Sequence, residues 1–174
     1  MKRLTVALVT ALCSTTLLAA EKPYIGIDYQ MGTYTQGNTD VNPEALRLRA
    51  GTEINRYLAV EAQAGVGTAS DTYMATTGNG QADVKVDSFY SLFLRPQLNL
   101  TKTVSVYGLV GGTYIDVSST SSNPQNNDSG FTHTTSYGAG LDFTIKNGIR
   151  LGADFTQYMD DYSAVSVGIR IPIR

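Results

Sequence analysis

The sequence predicts an all-β chain folded as an eight-stranded antiparallel up-and-down β-barrel. Three observations predict it. Apolar and polar residues alternate with period two in eight segments. The connections between those segments alternate between short and long, and the composition is rich in glycine (17) and tyrosine (11) with no tryptophan. The length suffices for one domain, assigned to residues 21–174.

The first element is not a strand. Lys2-Arg3 precede an apolar run from Leu4 to Leu12, and Leu18-Ala19-Ala20 follow a Ser/Thr-softened stretch. This is the order of a secretory signal peptide, so residues 1–20 are expected to be removed after export. The only cysteine, Cys13, falls in that leader, so the remainder can form neither a disulfide nor a thiolate metal site.

The strands follow. From Tyr24 to Tyr34, Ile25, Ile27, Tyr29 and Met31 alternate with Gly26, Asp28, Gln30 and Gly32. In the second segment, 45–54, Leu46, Leu48, Ala50 and Ile54 alternate with Arg47, Arg49, Gly51 and Glu53. In the third, 58–68, Leu58, Val60, Ala62, Ala64 and Val66 alternate with Glu61, Gln63, Gly65 and Gly67. Further segments are placed at 84–98, 104–117, 133–145 and 149–158. The last, 164–173, sets Val165, Val167, Ile169, Ile171 and Ile173 against Ser166, Gly168 and Arg170. Such lengths match the roughly 9–11 residues a tilted strand needs to cross a bilayer, and nothing after the leader approaches an apolar helix of about 18 residues.

Asn55–Tyr57, Asn99–Thr103 and Lys146–Gly148 are short connections, whereas Thr35–Glu44, Ala69–Asp83, Ser118–Thr132 and Met159–Ser163 are mostly longer and polar. Short turns on one rim and long loops on the other are the arrangement of a transmembrane barrel, both chain ends lying on the short-turn rim. For Lys146-Asn147-Gly148, a three-residue loop pairs Ile145 with Ile149 and keeps both on one face.

Period two does not say which face points inward. A soluble ligand-binding barrel turns its apolar face in, a membrane barrel turns it out. Eleven glycines fall on the polar face: Gly26, Gly32, Gly51, Gly65, Gly67, Gly108, Gly112, Gly138, Gly140, Gly152 and Gly168. A solvated strand surface has no use for so few side chains, whereas a narrow lumen does. The same face carries Asp28, Glu53, Glu61, Asp87, Asp142 and Asp154 against Arg47, Arg49, Lys85, Arg95, Arg150 and Arg170, a balance suited to charges that neutralise one another inside. The hairpin registers put Glu61 opposite Gly51 and diagonal to Arg49, and Asp142 diagonal to Arg150. The polar face is therefore read as the lumen, and Tyr57, Tyr107, Phe143 and Phe155 as girdle aromatics on or beside the apolar face.

Of the remaining charge, Arg56, Lys102 and Lys146 fall on the short turns, while the long loops carry Asp40, Glu44, Asp71, Asp83, Asp128, Asp160 and Asp161 without a lysine or arginine. The loops read as an anionic crown. After residue 20, fifteen acidic side chains face eleven basic ones with no basic block, which excludes a nucleic-acid footprint.

These residues resemble the small outer-membrane β-barrel family, the OmpA/OmpX-type eight-stranded domain of porin-family proteins. The resemblance covers nearly all of 23–174. It is carried by LRLRAGTEINRYLAVEAQAGVG (Leu46–Gly67), LFLRPQLNLTKTVSVYGLVGGTY (Leu92–Tyr114), SYGAGLDFTIKNGIRLGADF (Ser136–Phe155) and VSVGIRI (Val165–Ile171). It implies an integral protein of a Gram-negative outer membrane with a side-chain-filled lumen, inserted by the barrel-assembly machinery among outer-membrane lipid and lipopolysaccharide. The family usually ends in an aromatic residue, where this chain has Ile171-Pro172-Ile173-Arg174.

Enzymatic chemistry finds little support. His133, the only histidine, would have to act with Ser136 or a loop aspartate, and a triad is recognised by geometry. Gly138-Ala139-Gly140 superficially matches a nucleotide fingerprint but lies inside a strand, where a phosphate loop must open a helix. Asp160-Asp161 read as a solvated turn before a cation site. The expectation is a monomeric, non-enzymatic membrane barrel, without cofactor or metal, serving membrane structure or surface interaction such as adhesion or envelope integrity through loops of unknown partner. The alternatives are a narrow low-conductance channel and a soluble lipocalin-like barrel.

Overall fold

Each alternating segment hydrogen-bonds to its neighbours in sequence. The resulting strands are β1 (Lys22–Gln36), β2 (Glu44–Asn55), β3 (Leu58–Ala69), β4 (Gln81–Asn99), β5 (Val104–Ser121), β6 (Asp128–Thr144), β7 (Arg150–Met159) and β8 (Tyr162–Pro172). The computed structural model describes residues 22–36, 39–69, 71–74, 81–121 and 128–173; the expected leader lies outside them. All neighbouring pairs are antiparallel, and β1 also pairs with β8, from Tyr24 opposite Pro172 to Tyr34 opposite Tyr162. That last pairing closes the wall into an eight-stranded up-and-down barrel and leaves no open edge around it.

Which face is inside is settled by burial. Leu92 is 57% exposed, whereas Arg47, Glu61 and Asp142 are 0% exposed. Ile25, Ile27, Leu48, Leu94, Val110, Leu141, Val167 and Ile171 likewise face outward. The apolar side out and the ions in is the reverse of a soluble ligand-binding barrel, which overturns that alternative.

Strand β5 departs from the expected phase. Ser105, Tyr107, Leu109, Thr113 and Ile115 are buried in the lumen, and Gly108 and Gly112 belong to the outer row with Val106, Val110 and Tyr114. Tyr107, expected among the girdle aromatics, is thus a lumen residue. Both parities of this strand carry large apolar side chains, so periodicity alone could not choose between them. Phe143 and Phe155 do face outward.

Close packing explains several glycines. A Cβ on Gly51 would stand 2.5 Å from the Tyr24 ring, and one on Gly140 would stand 2.5 Å from Tyr107. Each tyrosine lies over the bare backbone of a neighbouring strand.

The short turns are built locally. Asn55 Oδ1 accepts from Tyr57 N at 2.8 Å, and Thr101 Oγ1 accepts from Val104 N at 2.9 Å. In the β6–β7 turn, Ile145 N donates to Ile149 O at 2.8 Å, so Ile145 and Ile149 stay paired, and Ile149 N donates to Lys146 O at 3.4 Å around Asn147 and Gly148, whose successive positive φ (64° and 77°) is the conformation an Asn-Gly pair favours. On the opposite rim, the connections expected to be loops continue as strand. Thr39–Val41 folds back on the end of β1, Asp71–Met74 pairs with the start of β4, and β4, β5 and β6 run on together to the pairs Ala82 with Ser121 and Ser119 with Asp128. The apolar alternation stops where lipid contact stops, but a hydrogen-bonded ladder needs no apolar face. Met159–Ser163 is a tight turn around Asp160-Asp161 rather than a longer loop.

Candidate functional site

The lumen is filled in two layers. The lower one, toward the short turns, begins with cross-strand neighbours: Asp28 on β1 lies opposite Arg47 on β2, with Arg49 two residues further on. Arg47 Nε and Arg49 Nε both donate to Asp28 Oδ2, at 3.0 and 2.6 Å. Their other nitrogens cross the barrel. Arg47 Nη2 reaches both oxygens of Asp154 on β7, at 2.8 and 3.0 Å, and Arg49 Nη2 reaches Asp154 Oδ2 at 2.7 Å. Arg49 Nη1 also pairs with Glu61 Oε1 at 3.2 Å, and Glu61 accepts from Tyr24 Oη at 2.6 Å and Gln63 Nε2 at 2.7 Å. Asp142 is shared by Arg95 and Arg170. Tyr107 joins the two halves, its hydroxyl accepting from Arg170 Nη2 at 2.6 Å and donating to Asp154 at 3.0 Å, while the Arg95 guanidinium stacks 3.9 Å from its ring.

Four carboxylates and four guanidiniums thus form one continuous buried network. Each charge has opposite charges on more than one side, the condition under which ions are tolerated away from water.

The upper layer is aromatic. Phe89, Tyr158 and Tyr162 pack with centroid separations of 5.2 Å (Phe89 to Tyr158) and 5.7 Å (Tyr158 to Tyr162), with Ile115, Ala45 and Ala164 beside them. Tyr158 ties the layers together: its hydroxyl receives Gln30 Nε2 at 2.7 Å and Arg47 Nη1 at 3.0 Å. Ser91, Thr113 and Ser136 add a buried hydroxyl chain ending on Tyr158 O.

Of the twelve residues read from sequence as lumen charges, the network holds Asp28, Arg47, Arg49, Glu61, Arg95, Asp142, Asp154 and Arg170. Glu53 and Arg150 pair with each other at 3.1 Å at the short-turn mouth. Asp142 therefore meets Arg95 and Arg170, and the expected diagonal partner Arg150 is engaged elsewhere; Gly152, opposite Asp142, lets the Arg170 side chain approach. Asp87 lies at a bulge of β4 between Val86 and Ser88. The side chain of Lys85 lies outside the described residues, as do those of the crown residues Asp40, Asp71, Asp83 and Asp128. Glu44 starts β2 and is half-buried, and Asp160 and Asp161 are exposed on the long-loop rim. Sequence reasoning placed Gln63 on the lumen face but missed Tyr24, Tyr107 and Tyr158. Tyr24 and Tyr158 share the parity of the lumen charges, which is the signal that could have found them.

His133 and Ser136, one of the candidate catalytic pairings, are separated by the strand itself. His133 faces outward against Tyr114, ring centroids 5.8 Å apart, whereas Ser136 is buried in the lumen. Gly138 and Gly140 lie within β6.

A family model described as the outer membrane protein beta-barrel domain matches residues 4–169. None of the curated proteins compared matches the chain. Among solved structures, the chain is similar to Ail, the attachment invasion locus protein of Yersinia pestis, crystallised with the heparin analogue sucrose octasulfate (19% identity, 86% of this chain and 95% of that one, TM-score 0.59). It is also similar to the outer membrane protein OprG of Pseudomonas aeruginosa (11% identity, 89% and 97% covered, TM-score 0.58) and to Neisserial surface protein A (13% identity, 86% and 96% covered, TM-score 0.55).

Proposed function

Because this chain belongs to the outer membrane protein β-barrel domain family and resides in the outer membrane, we propose that it is a monomeric, non-conducting and non-enzymatic barrel. Its long-loop rim makes contacts at the cell surface. The observation that carries this reading is the filled lumen: an interlocked layer of eight charges under an aromatic layer leaves the inside to support the wall and the rim to meet partners. An eight-stranded interior is just filled by side chains. The loops supply the chemistry of contact. In sequence they carry Asp40, Glu44, Asp71, Asp83, Asp128, Asp160 and Asp161 and no lysine or arginine, so a partner meets them through cationic groups. Ail was crystallised with a polyanion; this acidic rim suits the opposite charge. Insertion through the barrel-assembly machinery, among outer-membrane lipid and lipopolysaccharide, belongs to the same reading.

The test has two parts. The chain, expressed from its own Met1 in a Gram-negative host and purified from the outer membrane, is placed in a planar bilayer in concentrated KCl. Silence is expected, and steady unit conductance steps would refute the plugged lumen in favour of the narrow channel. Cells displaying the chain should bind a polylysine-coated surface more than cells displaying Asp160→Asn/Asp161→Asn. Equal binding refutes the acidic contact surface.

A further inference from the structure

The two rims differ in charge, and the short-turn rim is cationic. Arg56 in the β2–β3 turn, Lys102 in the β4–β5 turn and Lys146 in the β6–β7 turn are all exposed. The Lys22 side chain, at the start of β1, is 70% exposed. The three turns are neighbours: Gln97 N donates to Tyr57 O at 2.8 Å, and Thr144 N donates to Thr103 O at 2.7 Å. Adjacent hairpins are two strand widths apart, about 10 Å, so the cations recur at intervals along one stretch of rim.

Among the described residues the only carboxylate on this rim is Glu53, which is already shared between Arg150 at 3.1 Å and Lys22 at 4.0 Å. The opposite rim exposes Asp160 and Asp161.

The surroundings fix the depth of these cations. Leu98, Leu100, Phe143, Ile145 and Tyr57 are exposed apolar side chains in the turns and at the strand ends beside them. The Arg56 guanidinium lies 4.5 Å from the Tyr57 ring centroid, an aromatic of the kind that settles at headgroup level. A long cationic side chain rising beside such residues lays its stem on apolar surface and its charge among phosphates.

We propose that the short-turn rim is a binding surface for anionic phospholipid headgroups, with Arg56, Lys102 and Lys146 meeting the phosphates of the adjoining leaflet. A zwitterionic headgroup brings its own cation and leaves the rim's charge uncompensated; an anionic one does not. Screening limits the attraction to about 8 Å at physiological salt, so the effect is confined to the first shell of lipid. The inference rests on the barrel crossing a bilayer and is independent of what the long loops meet.

The test reads each rim separately. Cys13 is the chain's only cysteine, so a Cys13→Ser background accepts a single fluorophore at Leu100→Cys on the short-turn rim or at Asp160→Cys on the other. The labelled barrels are reconstituted in phosphatidylcholine vesicles containing a trace of headgroup-nitroxide lipid, either phosphatidylglycerol or phosphatidylcholine. At Leu100→Cys the anionic probe should quench at least twofold more than the zwitterionic one, and the ratio at Asp160→Cys should be one or less. Arg56→Gln/Lys102→Gln/Lys146→Gln, whose folding is checked by its mobility before and after boiling, should bring the Leu100→Cys ratio to one, as should about 0.5 M NaCl. A ratio of one in the unmodified rim, or an excess that the triple variant keeps, overturns the proposal.

Discussion

Asp154 sits where three guanidiniums converge, so Asp154→Asn asks whether ion pairing holds the lumen together. The substitution keeps the size of the side chain and turns four carboxylates against four guanidiniums into three against four. Arg47 loses its two-pronged contact at 2.8 and 3.0 Å, Arg49 its contact at 2.7 Å, and the Tyr107 hydroxyl its acceptor at 3.0 Å. The amide oxygen can keep one of these bonds, but the amide nitrogen now turns a donor toward cations. Removing one partner of a buried ion pair costs about 3–5 kcal/mol, and one retained neutral hydrogen bond returns about 1 kcal/mol. The expected loss is therefore about 2–4 kcal/mol. Glu53→Gln is the internal control, because its pair with Arg150 sits at the short-turn mouth, outside the eight-charge network; it should cost less than Asp154→Asn. Urea titration in lipid vesicles, scored by the mobility difference between unheated and boiled protein, measures both. An Asp154→Asn barrel within about 0.5 kcal/mol of the unmodified one would refute the reasoning, as would a Glu53→Gln loss of equal size. Adding Arg47→Met to Asp154→Asn rebalances the count at three against three and should recover part of the loss.

The same titration checks three further expectations. Leu92→Arg puts a cation on the lipid-facing side of the wall and should cost about 2–4 kcal/mol; tolerance of the change would mean that this face does not meet the bilayer midplane. A Cβ on Gly65 would run into the Phe89 ring, so Gly65→Val should cost about 1–3 kcal/mol by overpacking. Gly65→Val/Phe89→Leu should be more stable than the sum of the single changes predicts, and strict additivity would contradict the nested packing. Gly148 has φ of 77° in the β6–β7 turn; Gly148→Val should cost about 1–2 kcal/mol through backbone strain, whereas an unchanged midpoint would place the strain elsewhere.

Much of the wall was legible because a barrel strand has only two faces and a lipid boundary rewards strict alternation on one of them. Hairpin register is equally local: Glu61 opposite Gly51 follows from counting back from the Asn55–Tyr57 turn. Strand β5 was not legible, since Tyr107, Leu109 and Ile115 inside are as large and apolar as Val106, Val110 and Tyr114 outside. Tyr107 sits inside because its hydroxyl has Asp154 and Arg170 to bond there, and neither lies near it in sequence. The same limit applies to Arg47 and Asp154, which meet across the lumen from β2 and β7. Strand order fixes who stands beside whom, but which side chain bridges the interior depends on the length and tilt of every other one. The upward runs of β4, β5 and β6 escaped because the Gln81-Ala82-Asp83 start of β4 and the Ser- and Thr-containing ends of β5 and β6 lack an apolar face to reveal them.

The nesting of aromatic rings over bare glycines has a consequence for how such a chain drifts over generations. On the outer row, fluid acyl chains conform to whatever hydrocarbon is presented, so isoleucine, valine, leucine and phenylalanine can replace one another singly. On the inner row Tyr24 over Gly51 and Tyr107 over Gly140 are lock and key within one molecule, and a change in either half waits for its counterpart. Two descendants of one ancestor can therefore lose nearly all resemblance along alternate residues while their remaining residues stay bound in pairs. Percent identity along the whole chain averages a free face with a locked one, and kinship is better sought by comparing every second residue.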